Sequence, residues 1–229
     1  FFMKVFLVRH GETTWNAIGK IQGKSDTHLS ELGEWQAKQI AKMLSGKKID
    51  AIYCSPLKRA VDTAKEIAKP LNIDIVIKSE LREIDYGMFE GMTFSFIEKN
   101  HAKLWEERRK NKYNFKPKGG ESFEEMDKNR IKPFVHEMRK IHKNDSIIIV
   151  AHSGTNRLIM GALTNMPVAD KVNIWQPNEC LYAVECDDKK CSFHYECIGK
   201  KEPQPGYLNV KDMEFWDKKF KCSYPKHLH

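Results

Sequence analysis

The chain has 229 residues, 41% hydrophobic and 31% charged, the balance of a globular protein of one large domain, with no internal repeat or low-complexity segment. Apolar stretches such as residues 147–151 are far too short to span a bilayer. The formal net charge of +8 permits attraction to phosphate-bearing partners, but the lysines are spread along the chain and no nucleic-acid motif appears, so a small phosphorylated metabolite is expected rather than nucleic acid or a membrane.

In chain order, residues 3–8, "MKVFLV", read as a strand that runs directly into Arg9, His10 and Gly11. Because the apolar stretch ends on this polar motif, it is not a convincing signal peptide; Met3 reads as the native start and the cytoplasm as the expected compartment. Residues 30–46 follow as an amphipathic helix, with Ser30 as its cap and Gly46 at its end. A second strand at 51–54 leads into a helix over 55–71, where Ser55 reads as the cap and Pro56 fits the first helical position. Residues 73–77 and 146–151 are further strands, the latter followed by "HSGTNRLIMGALTN" as a turn and helix. Short apolar strands alternating with helices argue for an α/β fold, a three-layer α/β/α sandwich around a mainly parallel sheet.

Residues 88–145 break the rhythm. They are helix-rich and charged, with the loop "KPKGGES" in their middle, and read as a helical insertion capping the rim of the sheet. Residues 1–186 are therefore taken as the core with this cap, and 187–229 as a hairpin and tail extension, the hairpin itself beginning near 181. The tail leaves room for a homodimer contact, although its aromatics (Tyr207, Phe215, Trp216, Phe220 and Tyr224) are expected to pack on the core. Cys180, Cys186, Cys191, Cys197 and Cys222 lie in the last third with no C-x-x-C pair, so a zinc site is not expected and reduced structural thiols are.

Ligands of parallel sheets bind beyond the carboxyl ends of the strands. Three polar clusters sit at such ends: Arg9-His10-Gly11, Ser55 to Arg59, and His152-Ser153-Gly154. Two histidines and two arginines thus meet on one rim. Guanidinium groups, free amides at helix starts and an in-line nucleophile are what a phosphoryl group needs. Proton delivery to a leaving alkoxide calls for a carboxylate, and residue chemistry alone leaves Glu12, Glu83, Asp85, Glu90 and Glu121 open.

"RHGET" at 9–13, "SPLKRAVDTA" at 55–64, "LREIDYGMFEG" at 81–91 and "AHSGTNR" at 151–157 closely resemble, in family order, the histidine phosphatase (phosphoglycerate mutase-like) superfamily. The resemblance covers about residues 3–186. It implies a transient phosphohistidine on His10, with Arg9, Arg59 and His152 gripping the phosphoryl group and Glu83 as the acid, and it requires no metal and no cofactor. Asn16, Gln22 and Gly23 match positions that commonly line the pocket, and Ser153 is counted with them.

Within the superfamily, "EIDYGMFEGMTF" and residues 108–123 are similar to the phosphatase domain of the enzymes that make and hydrolyse fructose 2,6-bisphosphate. That likeness implies that Arg108, Lys112 and Arg157 hold a second anionic group of the substrate, although Phe94, Phe123 and Ser153 depart from its pattern. A phosphatase of a small phosphorylated metabolite, such as a sugar bisphosphate, is the expectation. The alternatives are a phosphoglycerate mutase, in which Arg108 and Arg109 would be paired arginines, and a non-catalytic binder of phosphorylated ligands, against which the full set of catalytic-type residues argues.

Overall fold

A computed structural model describes residues 2–212 of the chain. The elements run β1 (Phe2–Arg9), α1 (Thr14–Ala17), α2 (Glu31–Leu44), β2 (Ala51–Cys54), α3 (Lys58–Leu71), β3 (Ile75–Ile77), α4 (Phe94–Asn100), α5 (Ala102–Lys110), α6 (Phe123–Met126) and α7 (Lys132–Ile141). They continue with β4 (Ser146–Ala151), α8 (Ser153–Thr164), α9 (Val168–Lys171), β5 (Ile174–Trp175), β6 (Cys180–Asp187), β7 (Cys191–Cys197), β8 (Gln204–Pro205) and β9 (Leu208–Asn209).

Seven strands form the main sheet in the order β3-β2-β4-β1-β6-β7-β8. The first four are parallel, and β6, β7 and β8 add antiparallel beyond β1. Alternation along β1 serves two cores at once: Met3, Val5 and Leu7 face α6–α8, while Phe6 and Val8 face α2 and α3. β4 divides likewise, with Ile147, Ile149 and Ala151 on one side and Ile148 and Val150 on the other. A strand buried on both faces must be apolar throughout, which is why these segments show no polar alternation. The three-layer α/β/α expectation holds.

Helix α2 begins as its sequence indicates, with the Ser30 hydroxyl accepting from the Gly33 amide. Helix α3 does not. It starts at Lys58 on Leu57, whose side chain offers no cap, and Ser55 lies three residues upstream of that start.

The expected insertion over 88–145 is half cap and half core. Helices α4 and α5 form the cap, where Ile97 and Trp105 join Ile21 and Phe89 in a small separate core. Residues 123–141 instead make the crossover into β4, burying Phe123, Met126, Ile131, Phe134, Val135 and Met138 in the main core. A π-helical turn over Asp127–Ile131 interrupts the 3.6-residue period and conceals this face in the sequence. The boundary expected at 186 falls inside β6, because the 180–197 hairpin completes the sheet beside β1.

That hairpin also corrects the expectation of reduced thiols. Register places Cys180 opposite Cys197 and Cys186 opposite Cys191, and both pairs are disulfides. Cys54 is a buried free thiol. No helix among the described residues is long and apolar enough to cross a membrane. Of the tail aromatics, Tyr207 packs near Phe193, while Phe215, Trp216, Phe220 and Tyr224 lie outside the described residues, as does Cys222.

A buried ion pair ties the crossover segment to α9. Lys171 Nζ lies 2.5 Å from Asp127 Oδ2, which also accepts from the Tyr113 hydroxyl at 2.7 Å. Removing one partner of such a pair strands a charge in the interior. Lys171→Met is therefore expected to cost about 3–5 kcal/mol in urea unfolding, and adding Asp127→Asn to recover most of that loss.

Candidate active site

Register decides what meets at the rim. Arg9 pairs with Ala151 and Cys54 with Val150, so the next residues, His10, Ser55 and His152, emerge side by side. The His10 amide donates to the Ala151 carbonyl and the Ser55 amide to the Val150 carbonyl, both at 3.0 Å. The imidazoles of His10 and His152 face each other with ring centroids 5.2 Å apart, and both are buried.

His10 Nδ1 lies 2.7 Å from its neighbour's carbonyl, Gly11 O. A carbonyl only accepts, so Nδ1 carries the proton and Nε2 is left as the lone-pair nitrogen. Asn178 Nδ2 donates to the His10 carbonyl, fixing the backbone that presents the ring. Burial, then Arg59 and Arg9, hold the His10 pKa well below the usual histidine value. Burial, then Arg59, His10 and Arg9, do the same for His152. Both rings are neutral at pH 7.

Each arginine of the site is held by main-chain oxygen. Arg9 Nη1 donates to Gln176 O at 2.8 Å. Arg59 donates to Ser25 O at 2.7 Å and Gly23 O at 2.6 Å. Arg157 donates to Val172 O at 2.8 Å, and also to the carbonyl and hydroxyl of Ser153. None of the three forms an ion pair among the described residues, so their charge stays available to an anion. Arg9 Nε, Arg59 Nε and His152 Nδ1 are moreover buried without any hydrogen-bond partner, an unusual condition for buried polar atoms.

The five candidate acids separate by their commitments. Glu12 accepts from Ser30, Asp85 is paired with Lys24, Glu121 is paired with Arg130, and Glu90 accepts from the Lys24 and Tyr86 amides and the Ser25 hydroxyl. Glu83 accepts from the Ile84 and Gly154 amides, at 2.9 and 3.1 Å, and from the Thr155 hydroxyl at 3.4 Å, and is set apart by lying within electrostatic reach of Arg9, Arg59 and Arg157 together. Its seat requires Gly154, where a Cβ would come within 2.4 Å of Glu83 Oε1.

The remaining predicted residues divide. Gly23 sits at φ +53°, and its carbonyl anchors Arg59. The Gln22 carbonyl oxygen accepts from the hydroxyls of Thr13 and Thr27. Asn16 closes the capping box of α1 with Thr13. Ser153 braces Arg157, which also stacks over Phe123 at 5.5 Å. Arg108 lies over the rings of Trp105 and Tyr86, at 4.6 and 5.4 Å. Lys112 makes no hydrogen bond or ion pair among the described residues; burial and the nearby Arg157 and Arg108 charges press its pKa down to about 6. Phe94 is half exposed on the cap against Trp105, away from the rim.

Sequence reasoning missed Arg130, Gln176, Asn178 and Thr63. Arg130 donates to the carbonyls of Glu80, Arg82 and Glu83 and so clasps the loop that carries Glu83. Thr63 accepts from the Gly11 amide and donates to the Arg59 carbonyl; it belongs to the "SPLKRAVDTA" motif, where an alcohol one turn past Arg59 was the available signal. Among the described residues no group of three or more His, Cys, Asp or Glu side chains converges as a metal site needs.

A family model described as the histidine phosphatase superfamily (branch 1) matches residues 5–197. Phosphoserine phosphatase 1 of Hydrogenobacter thermophilus is 36% identical over 167 residues, covering 73% of this chain and 79% of that protein. Phosphoglycerate mutase-like protein 4 of Arabidopsis thaliana is 34% identical over 159 residues, covering 68% and 69%. A solved structure of a phosphoserine phosphatase mutant from Entamoeba histolytica, in complex with phosphoserine, superposes with a TM-score of 0.73 at 26% identity, covering 83% of this chain and 94% of the other.

The lowered histidine pKa values fix the sign of a pH effect. Depression disfavours the charged ring, so neutral His10 persists below pH 6.5 and is lost only as pH falls through its lower folded-state value. The kcat/KM for p-nitrophenyl phosphate, corrected for substrate ionisation, is expected to stay level through pH 6.5 and fall at lower pH. An acid limb centred at 6.5 or above would contradict a buried neutral nucleophile.

Proposed function

The chain belongs to the histidine phosphatase superfamily, branch 1, and on that premise we propose that it hydrolyses a small phosphomonoester bearing a second anionic group, through a phosphohistidine on His10. The chain is a phosphoric monoester hydrolase acting on a small phosphate substrate; the identity of the second group and the residue roles are the proposal. In the first step His10 Nε2 attacks phosphorus and the ester P–O bond breaks, with Glu83 handing its proton to the departing alkoxide. In the second, Glu83 takes a proton from water, the hydroxide displaces the imidazole, and inorganic phosphate leaves. Arg9, Arg59 and His152 hold the equatorial oxygens in both steps.

The observation that carries this reading is the set of buried donors without partners, Arg9 Nε, Arg59 Nε and His152 Nδ1, beside an imidazole lone pair and the Glu83 carboxylate. A dianion with tetrahedral oxygens satisfies them together. For the second group, support comes from Lys112, Arg108 and Arg157, three cations that sense one another and have no acidic partner among the described residues. A carboxylate close to the phosphate fits that span, and the two phosphoserine phosphatases among the similar proteins make phosphoserine the first substrate to test, ahead of fructose 2,6-bisphosphate.

The mutase reading is favoured by the similarity to proteins named as mutases or mutase-like, among them the Arabidopsis protein. Phosphorus NMR separates the readings. Inorganic phosphate is expected from phosphoserine, with no 2-phosphoglycerate formed from 3-phosphoglycerate and 2,3-bisphosphoglycerate. Rapid 2-phosphoglycerate would make the chain a mutase. Lys112→Met should raise KM for phosphoserine by about ten- to hundredfold at pH 6, the loss of one charge-assisted bond, and raise KM for p-nitrophenyl phosphate far less. Equal effects on the two substrates would remove Lys112 from the second site.

A further inference from the structure

His152 poses a hydrogen-placement problem that its surroundings solve. Its Nε2 lies 2.8 Å from Ser55 Oγ, its Nδ1 is buried with no partner, and both residues are fully buried. The ring is neutral, so one nitrogen carries a proton and the other a lone pair. Ser55 Oγ already accepts from the Leu57 amide at 3.3 Å. Among the described residues its hydroxyl proton has no acceptor other than His152. If Nε2 carried the imidazole proton, two donors would point at Ser55 Oγ and its own hydroxyl proton would be stranded in the interior. If Nε2 is the lone pair, Leu57 donates to Ser55, Ser55 donates to His152, and each proton between them is used.

From this bookkeeping we infer that Ser55 is a positioning residue that fixes His152 as the Nδ1–H tautomer, turning a donor, not an acceptor, toward the phosphoryl site. The inference rests on the proposed phosphatase reading for its purpose and on Ser55 geometry for its content. The two facing histidines then share one tautomer and do opposite work. His10 spends its Nδ1–H on the Gly11 carbonyl and offers the Nε2 lone pair; His152 spends its Nε2 lone pair on Ser55 and offers Nδ1–H. A reversed His152 would present a lone pair to an anionic phosphoryl oxygen and repel it.

Ser55 lies upstream of the α3 start, and its hydroxyl reaches the residue that follows the neighbouring strand β4, His152 after Ala151. The Ser55 amide is bound to Val150, so the hydroxyl is aimed by the sheet itself and not by a loop.

The test is nitrogen-15 NMR of the histidine-labelled full chain at neutral pH, with His152 assigned by comparison with His152→Gln. The expected spectrum has a proton-bearing Nδ1 and a pyridine-type Nε2 for His152, and Ser55→Ala converts this into a mixture of tautomers. In the same variant, turnover of p-nitrophenyl phosphate and affinity for orthovanadate should both fall by about tenfold to hundredfold. A proton on Nε2 in the natural chain overturns the inference, as does a Ser55→Ala variant with unchanged turnover and vanadate affinity. Should Ser55→Ala not fold, the spectrum of the natural chain decides alone. A chain inactive on every phosphomonoester would defeat the proposed function while leaving the tautomer reading to stand or fall by its spectrum.

Discussion

Positive charge enclosed with no direct ion pair among the described residues is the constraint on which this structure turns. Arg59 and Arg157 are buried and Arg9 partly so, and each is held by peptide carbonyls instead of acidic side chains. An uncompensated buried ion costs several kcal/mol, and carbonyl dipoles repay only part of it. Burial, with the neighbouring arginines, holds both histidines in the neutral form, the state that the proposed attack by His10 requires. The proposed phosphoryl group would offset the arginine charges and satisfy the three donors left without partners. Burial, with the Arg157 and Arg108 charges, lowers the Lys112 pKa to about 6, and the proposed second anion would favour its charged form.

Such a site demands a scaffold that cannot relax. The sheet provides it, because β4 lies between β1 and β2 and is buried on both faces. The ends of three strands then stand at fixed spacing. The loop beyond β5 contributes Gln176 and Asn178, which brace Arg9 and His10 from the antiparallel side. The cap reaches the rim from the other direction, and the Asp127–Lys171 pair with Tyr113 secures it beside α9, whose end carries the Val172 carbonyl that holds Arg157.

Much of this was legible in the sequence, and the reasons for what was not are physical. The strand ends were readable because a doubly buried strand has an apolar pattern that stops abruptly at its polar end, as at Val8 and Arg9. Ser30 was readable because capping is local. Ser55 misled for the same reason: Ser-Pro resembles a helix start, whereas a bond to a histidine 97 residues away is invisible locally. Residues 123–141 were assigned to the cap because Lys132, Glu137, Arg139 and Lys140 dilute the apolar face and a π turn shifts its phase. The disulfides depend on hairpin register, which cysteine spacing alone does not specify. The arginine anchors were hidden most deeply, since a peptide carbonyl is present at every position.

The central claim is that His10 takes the phosphoryl group itself. The direct measurement is rapid chemical quench of the full chain during turnover of a phosphomonoester, under alkaline conditions that preserve phosphoramidates, followed by peptide mass spectrometry. The account predicts a phosphoryl group on His10 that forms and decays at rates matching turnover and is absent from His10→Ala. Phosphate released with no phosphoenzyme, or a phosphoryl group carried by His152, would contradict it.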